Sequence, residues 1–239
     1  MRIIKGRAGR ICGRLLLCLA VFYAFLRFSP YPSLNAFRSR PNSIRFYDRN
    51  GLLIQISALD DGLRREYRPL EEIPDPLKTV FIHAEDGRFY HHWGIDLIAI
   101  GRAFFQNLSS GRRISGASTI TMQLARLMEM DAGDTGHRRG RGLINKTKEA
   151  LNALRLEARL NKDEILELYL NSIPFGFQTE GVVSAARTFF SADIQMLSPA
   201  QIFCLAVIPR RPNTNNPLSE KENCASAATA LHSRFIQNR

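Results

Sequence analysis

Apolar and polar positions along this chain fall into three successive patterns. From Leu15 to Leu26 almost every position is apolar, with Arg2, Lys5, Arg7, Arg10 and Arg14 before the run and Arg27 closing it. Over residues 44–57 the two kinds of residue alternate around Asp48-Arg49-Asn50-Gly51, which predicts a β-hairpin. From Asp75 onward the apolar spacing is helical. Asp75-Pro76 opens one helix, and Asp96 caps a second that runs to Ser109 and ends at Gly111. Further helices are predicted over residues 119–130, 146–160, 163–170, 181–190 and 199–207, with Ser118 as N-cap of the first. Ser198-Pro199-Ala200-Gln201 reads as a capping box with proline in the first turn. Ser29 to Asn42, rich in Pro, Ser and Arg, reads as a linker, and Met128 to Gly142 as a mobile loop. The fold class is therefore mainly α, with a short N-terminal β-hairpin and an N-terminal membrane anchor.

Length and charge narrow this picture. The 239 residues suffice for one sizeable domain plus an anchor. A net charge of +11 calls for an anionic partner: nucleic acid, a membrane surface or a lipid pyrophosphate. The apolar run is short for a full span of about 20 residues, but Ile11, Cys12 and Phe28 extend it, and Arg14 and Arg27 can snorkel. Its basic leading flank predicts a cytoplasmic tail over residues 1–10, a signal anchor over 11–28 and everything after it outside. The competing reading is a cleaved signal peptide, for which Leu34-Asn35-Ala36 is a poor cleavage site. The four cysteines have neither metal-ligand spacing nor a disulfide framework.

Three segments carry candidate chemistry. In Glu85-Asp86-Gly87-Arg88-Phe89-Tyr90-His91-His92-Trp93-Gly94, Glu85 falls at the C-terminal end of its helix, facing the negative end of the dipole. Burial beside Phe81, Phe89 and Trp93 is expected to act in the same direction, as suits a general base or acid near neutral pH. Gly116-Ala117-Ser118-Thr119-Ile120-Thr121-Met122-Gln123-Leu124-Ala125-Arg126 reads as a turn and a helix start, with hydroxyls and an amide suited to an anion or a sugar. In the third segment, Asn145 to Glu157, Lys146 and Glu149 share a helix face with Ala150 and Ala153 close by. Each segment also has an ordinary structural explanation: a charged helix end, a Ser-capped helix and a solvated charge pair.

Together, in this order and spacing, the segments resemble the peptidoglycan glycosyltransferase family. This is the transglycosylase domain of bifunctional penicillin-binding proteins and of monofunctional transglycosylases, glycosyltransferase family 51. The first family motif is met by Glu85, Asp86, Phe89, His92 and Gly94. The second is met by Gly116, Ser118, Thr119, Ile120, Thr121 and Gln123, with Met122 where Gln is usual, and the third by Lys146 and Glu149, with Asn145 where Arg is usual. The fourth appears as Tyr169, Leu170, Asn171, Gly176, Gly181, Ala185 and Ala186. The fifth appears as Leu197, Ser198, Leu205, Ala206, Pro209 and Pro212, with Gln201 at a usual Glu. The resemblance spans residues 43–217, followed by a helical tail over 218–239. Asn145 removes a positive charge that Arg141 or the Arg138-Arg139 pair is expected to replace.

The resemblance implies a lysozyme-like helical domain with a membrane-embedded small lobe, to which Phe104, Phe105 and Leu108 are candidate contributors; a place in the core is the other reading of those three. It implies glycan polymerisation from lipid II, with Glu85 as base and Glu149 orienting Lys146 or a metal. Asp86, Phe89, His92, Gly116, Ser118, Thr119, Gln123, Arg126, Arg141, Lys146 and Asn171 are the implied substrate-binding residues. A divalent metal, Mg or Mn, is the one cofactor considered, and no organic cofactor is expected. The implied partners are lipid II, the nascent glycan and the membrane, with a transpeptidase or wall-synthesis complex beside them and no nucleic acid. The implied location is the bacterial inner membrane, single-pass, with the catalytic domain outside the cytoplasm. The alternatives are a lysozyme-like lytic enzyme and a non-catalytic scaffold. A monofunctional enzyme and the front of a bifunctional one both stay open.

Overall fold

The computed structural model describes residues 2–111, 116–132 and 142–237. The order of elements is α1 (Arg2–Phe28), α2 (Pro32–Arg38), β1 (Arg45–Tyr47), β2 (Leu53–Ile56), β3 (Arg64–Arg65), α3 (Asp75–Glu85), α4 (Leu97–Ser110) and α5 (Ile120–Asp131). It continues with α6 (Leu143–Glu157), α7 (Lys162–Leu170), β4 (Pro174–Gly176), β5 (Thr179–Glu180), α8 (Val182–Phe190), α9 (Pro199–Val207) and α10 (Lys221–Gln237). The chain is mainly helical, as the periodicity predicts.

The predicted hairpin is present, with β1 antiparallel to β2. Its turn is tied by Asp48, whose Oδ1 accepts from the backbone of Asn50 and Leu52 at 2.8 Å each. A second small sheet has the order β3-β5-β4, with β3 parallel and β4 antiparallel to β5. Between β4 and β5, Phe177 and Gln178 both adopt positive φ, as a two-residue hairpin turn of primed type requires.

The caps act where the sequence places them. Asp96 accepts from the Ile98 and Ala99 amides, and Gly111 closes α4 in the left-handed region. Ser198 and Gln201 form the reciprocal box at α9, so Gln201 reaches back to the Ser198 amide as a Glu at that position would. The start of α5 differs by one residue. Thr119, not Ser118, is the N-cap, because its hydroxyl accepts from Met122 and donates to the Gly94 carbonyl at 2.6 Å. Helix α6 lies earlier than periodicity predicts, starting at Leu143 and ending at Glu157.

The core lies between α3, α5, α7, α8 and α9, around Leu77, Phe81, Phe89, Leu124, Tyr169, Phe175 and Leu205. Two segments expected to lie outside the domain join it. The linker contains α2, whose Leu34 and Phe37 are buried in the core against α5. The C-terminal segment forms α10, which packs on α9 and α3 through Cys224, Ala228 and Leu231. In α8, Val182 follows Gly181 at φ +81, where a Cβ would meet the Asn171 carbonyl oxygen at 2.7 Å.

Among the described residues no single helix is long and apolar enough to cross a membrane. Cys12–Phe28 and Pro32–Arg38 pass as a pair bent by 41°, but the second half carries the buried Leu34 and Phe37. Helix α4 buries only Ala103 and exposes Leu97, Ile98, Phe104, Phe105 and Leu108, so the core explanation for its aromatic pair fails.

Candidate active site

Glu85 ends α3 with its side chain only 10% exposed. Arg210 donates from Nε to Oε1 at 2.8 Å, and Gln123 donates from Nε2 to Oε2 at 2.9 Å. The Gln123 oxygen in turn accepts from the buried Tyr169 hydroxyl at 3.3 Å. The apolar jacket expected for Glu85 is therefore replaced by a cation and an amide. Trp93, one of the three side chains expected to cover it, is 68% exposed. Burial pushes the Tyr169 phenol well above its usual range and the Glu85 charge adds to this, so its hydroxyl keeps its proton and serves as a donor.

Asp86 follows Glu85 and turns inward. Its Oδ2 accepts from the Ile120 amide at 3.0 Å, and both oxygens lie 3.0 Å from His92 Nε2. This joins the end of α3 to the start of α5. Phe89 is fully buried and edge-on to the His92 ring, with Lys162 Nζ 4.5 Å above its centroid. Phe89 and His92 thus hold the motif in shape and do not line the cavity.

Lys146 sits in the second turn of α6 and donates to Ser118 Oγ at 2.5 Å and to Glu149 Oε2 at 2.6 Å. Glu149 is buried, at 5% exposed, so a paired lysine is what its carboxylate needs. Gly94, at φ +75, lets this helix come close. A Cβ there would lie 3.1 Å from the Ala153 backbone.

Glu85, Asp86, Arg88, Gly116, Ser118 and Thr119 line a cavity of about 480 Å³, together with Arg102 and Arg234. Its mixture of carboxylates and guanidiniums suits an acidic or polyhydroxylated ligand. Asp86, His92 and Asp96 also bring ligand atoms within 4.8 Å of one another. Those atoms are already engaged. Asp86 holds Ile120 and His92, while Asp96 caps α4 and pairs with Arg88 at 3.2 Å. This donor set does not fit a resident divalent ion.

A Transglycosylase family model matches residues 52–235. The chain belongs to this family, the peptidoglycan glycosyltransferases. Penicillin-binding protein 1A of Neisseria lactamica is 35% identical over 223 residues, which cover 93% of this chain and 26% of that protein. Penicillin-binding protein 1A of Escherichia coli K12 is 39% identical over 193 residues, covering 81% and 22%. The crystal structure of penicillin-binding protein 1A from Haemophilus influenzae aligns with a TM-score of 0.43 at 20% identity, over 82% of this chain and 18% of that one. The chain thus spans about a quarter of the length of its Neisseria relative.

Of the expected binding residues, the fold gathers Asp86, Gly116, Ser118, Thr119, Gln123 and Lys146 around Glu85 and Glu149. Arg126 lies one helical turn beyond Gln123 on α5, close enough for its charge to act on Tyr169. Asn171 does something else. Its amide accepts from the Arg68 N–H and donates to the Arg68 and Glu167 carbonyls, all at 2.8 Å, so it splices the chain to the end of α7. Arg141, with most of the loop after α5, lies outside the described residues. Arg210 is the residue that sequence reasoning missed. It stands between Pro209 and Pro212 of the fifth motif, and nothing in that local pattern points 125 residues back to Glu85.

Proposed function

We propose that this transglycosylase polymerises peptidoglycan glycan from lipid II. The carrying observation is that one largely covered carboxylate, Glu85, is held on both oxygens beside a Ser118–Lys146–Glu149 chain. In this reading the acceptor sugar's 4-hydroxyl gives its proton to Glu85 as its oxygen forms a bond to the donor's anomeric carbon. The bond from that carbon to the pyrophosphate oxygen breaks, with inversion, and the lipid pyrophosphate leaves as an anion. Inversion wants a base on one face and leaving-group stabilisation on the other. An anionic leaving group wants cations and N–H donors rather than a proton. Lys146, Arg126 and Arg210 supply the cations, and Glu149 orients Lys146.

The apolar surface of α4 and the outward residues of α1 support a membrane-facing side, with the catalytic cavity outside the cytoplasm. Labelled lipid II separates the readings: polymer supports the transferase, a shortened preformed glycan a lytic enzyme, and no change a scaffold. Glu85→Gln keeps the shape and removes the base. Polymerisation should fall by orders of magnitude with the unfolding midpoint unchanged, and retention of more than about a tenth of the activity would sink this assignment.

A further inference from the structure

Helix α1 meets the rest of the protein near its C-terminal end. From Cys12 to Phe28 every side chain is exposed except Leu26, which is 5% exposed. The last turn of α1 packs against α6, the helix that carries Lys146 and Glu149. A helix ends with carbonyls that have no intrahelical partner and with a partial negative charge. Here Arg155, in the last turn of α6, and Arg159, two residues past that helix, donate to this end of α1 and to the residues just after it. Arg159 donates to the Leu26 and Ser29 carbonyls, and Arg155 to the Pro30 carbonyl and to Ser29 Oγ.

Tyr31, two residues after Ser29, completes the junction. The Arg155 guanidinium lies 4.4 Å and that of Arg159 5.5 Å from the Tyr31 ring centroid. Burial pulls Arg159 below its usual range, and adjacent Arg155 adds to this. Two like charges are thus held together where the carbonyl oxygens and the ring face offset their repulsion.

We propose that Arg155 and Arg159 are positioning residues, which fasten the exit of the anchor to α6 and so set the place of Lys146 and Glu149. The functional half of this inference rests on the glycosyltransferase reading above. Arg155 stands six residues after Glu149 on unbroken helix, roughly 9 Å of rise, so a displacement at one end is carried to the other. The same helix is tied sideways to α5, where Asn152 donates to Glu129. An anchor that only concentrated the substrate would act on KM. A strap that sets Lys146 acts on kcat, because Lys146 meets charge that develops as the pyrophosphate departs.

The test uses the full chain in detergent micelles and two independent lesions. One is Arg155→Gln with Arg159→Gln; Arg155→Lys with Arg159→Lys keeps the charge and loses the fork, should the first not fold. The other is a Gly-Gly-Ser insertion after Phe28, which leaves both arginines in place. Amide hydrogen exchange over α6 and lipid II kinetics are read together. Each lesion should speed exchange in α6 by about tenfold or more while α8 and α9 keep their protection. Each should lower kcat by a similar factor with KM little changed, and the combined variant should be no worse than either alone. Unchanged exchange in α6, effects that multiply in the combination, or a loss spread evenly over all helices would each overturn the strap. If the wild type makes no polymer, the exchange result still decides the strap, and only the glycosyltransferase reading falls.

Discussion

At the scale of single residues, the site turns on what each oxygen of Glu85 meets. Oε1 faces a guanidinium on one turn of 3₁₀ helix, Ile208–Arg210, and Oε2 faces an amide on α5. Each oxygen keeps a lone pair beyond these contacts, open to the acceptor hydroxyl of the proposed reaction. Arg210 is 40% exposed at its side chain, so in that reaction it can turn toward a pyrophosphate without unpacking the core. Arg210→Gln keeps a donor and removes the charge. It should lower kcat with lipid II by about a hundredfold to a thousandfold, the range seen when one charge-stabilising donor is lost, and leave the unfolding midpoint in place. Steady-state kinetics beside thermal unfolding check this. Wild-type kcat in that variant would mean that Arg210 is a surface ion pair and nothing more.

At the scale of elements, α3 is clamped at both ends of its last turns. Glu85 faces the cavity, while His83 faces α10, its ring edge-on to Phe235 at 5.1 Å. Burial, then Arg234 on α10, then Arg210, hold the His83 imidazole below its usual value of 6.5. The unfolded chain therefore binds this proton at pH values where the folded chain does not. Stability from this contact is complete above about pH 6.5 and declines as the pH falls below it. His83→Phe keeps the ring and removes the titration. Thermal unfolding between pH 7.5 and 5 should show a shallower loss toward acid in that variant than in the wild type. Equal slopes would place the acid sensitivity elsewhere.

At the scale of the whole molecule, the segment between α1 and β1 is part of the domain. Leu34 and Phe37 are 6% and 3% exposed, and Arg40 reaches Glu180 at 2.8 Å, Asp131 at 3.3 Å and Ser172 at 2.8 Å. A chain starting at Ser43 loses all of these. Removing large buried apolar side chains costs about 2–5 kcal/mol each, so that truncation should unfold many degrees lower than a chain starting at Ser29. Differential scanning calorimetry of the two makes the comparison. Equal midpoints would show that α2 contributes nothing to the fold, and the boundary expected near Ser43 would stand.

Whatever depends on neighbours three or four residues apart was legible in the sequence. The hairpin at Asp48-Arg49-Asn50-Gly51, the Asp96 and Gly111 caps, the Ser198–Gln201 box and the position of Glu85 at a helix end all follow from local hydrogen bonding and the 3.6-residue period. Tertiary packing decided the rest. It chose Thr119 over Ser118 as the cap, because Gly94 offers Thr119 an acceptor while Lys146 takes the Ser118 hydroxyl. It turned Asn171 from an expected ligand contact into a backbone splice, brought Arg210 to Glu85, and folded the supposed linker into the core. A guanidinium on a long flexible stem carries no periodic signature. Its partner is the nearest unmet oxygen in space, 125 residues away for Arg210 and 133 for Arg159, and only the folded chain brings those atoms together.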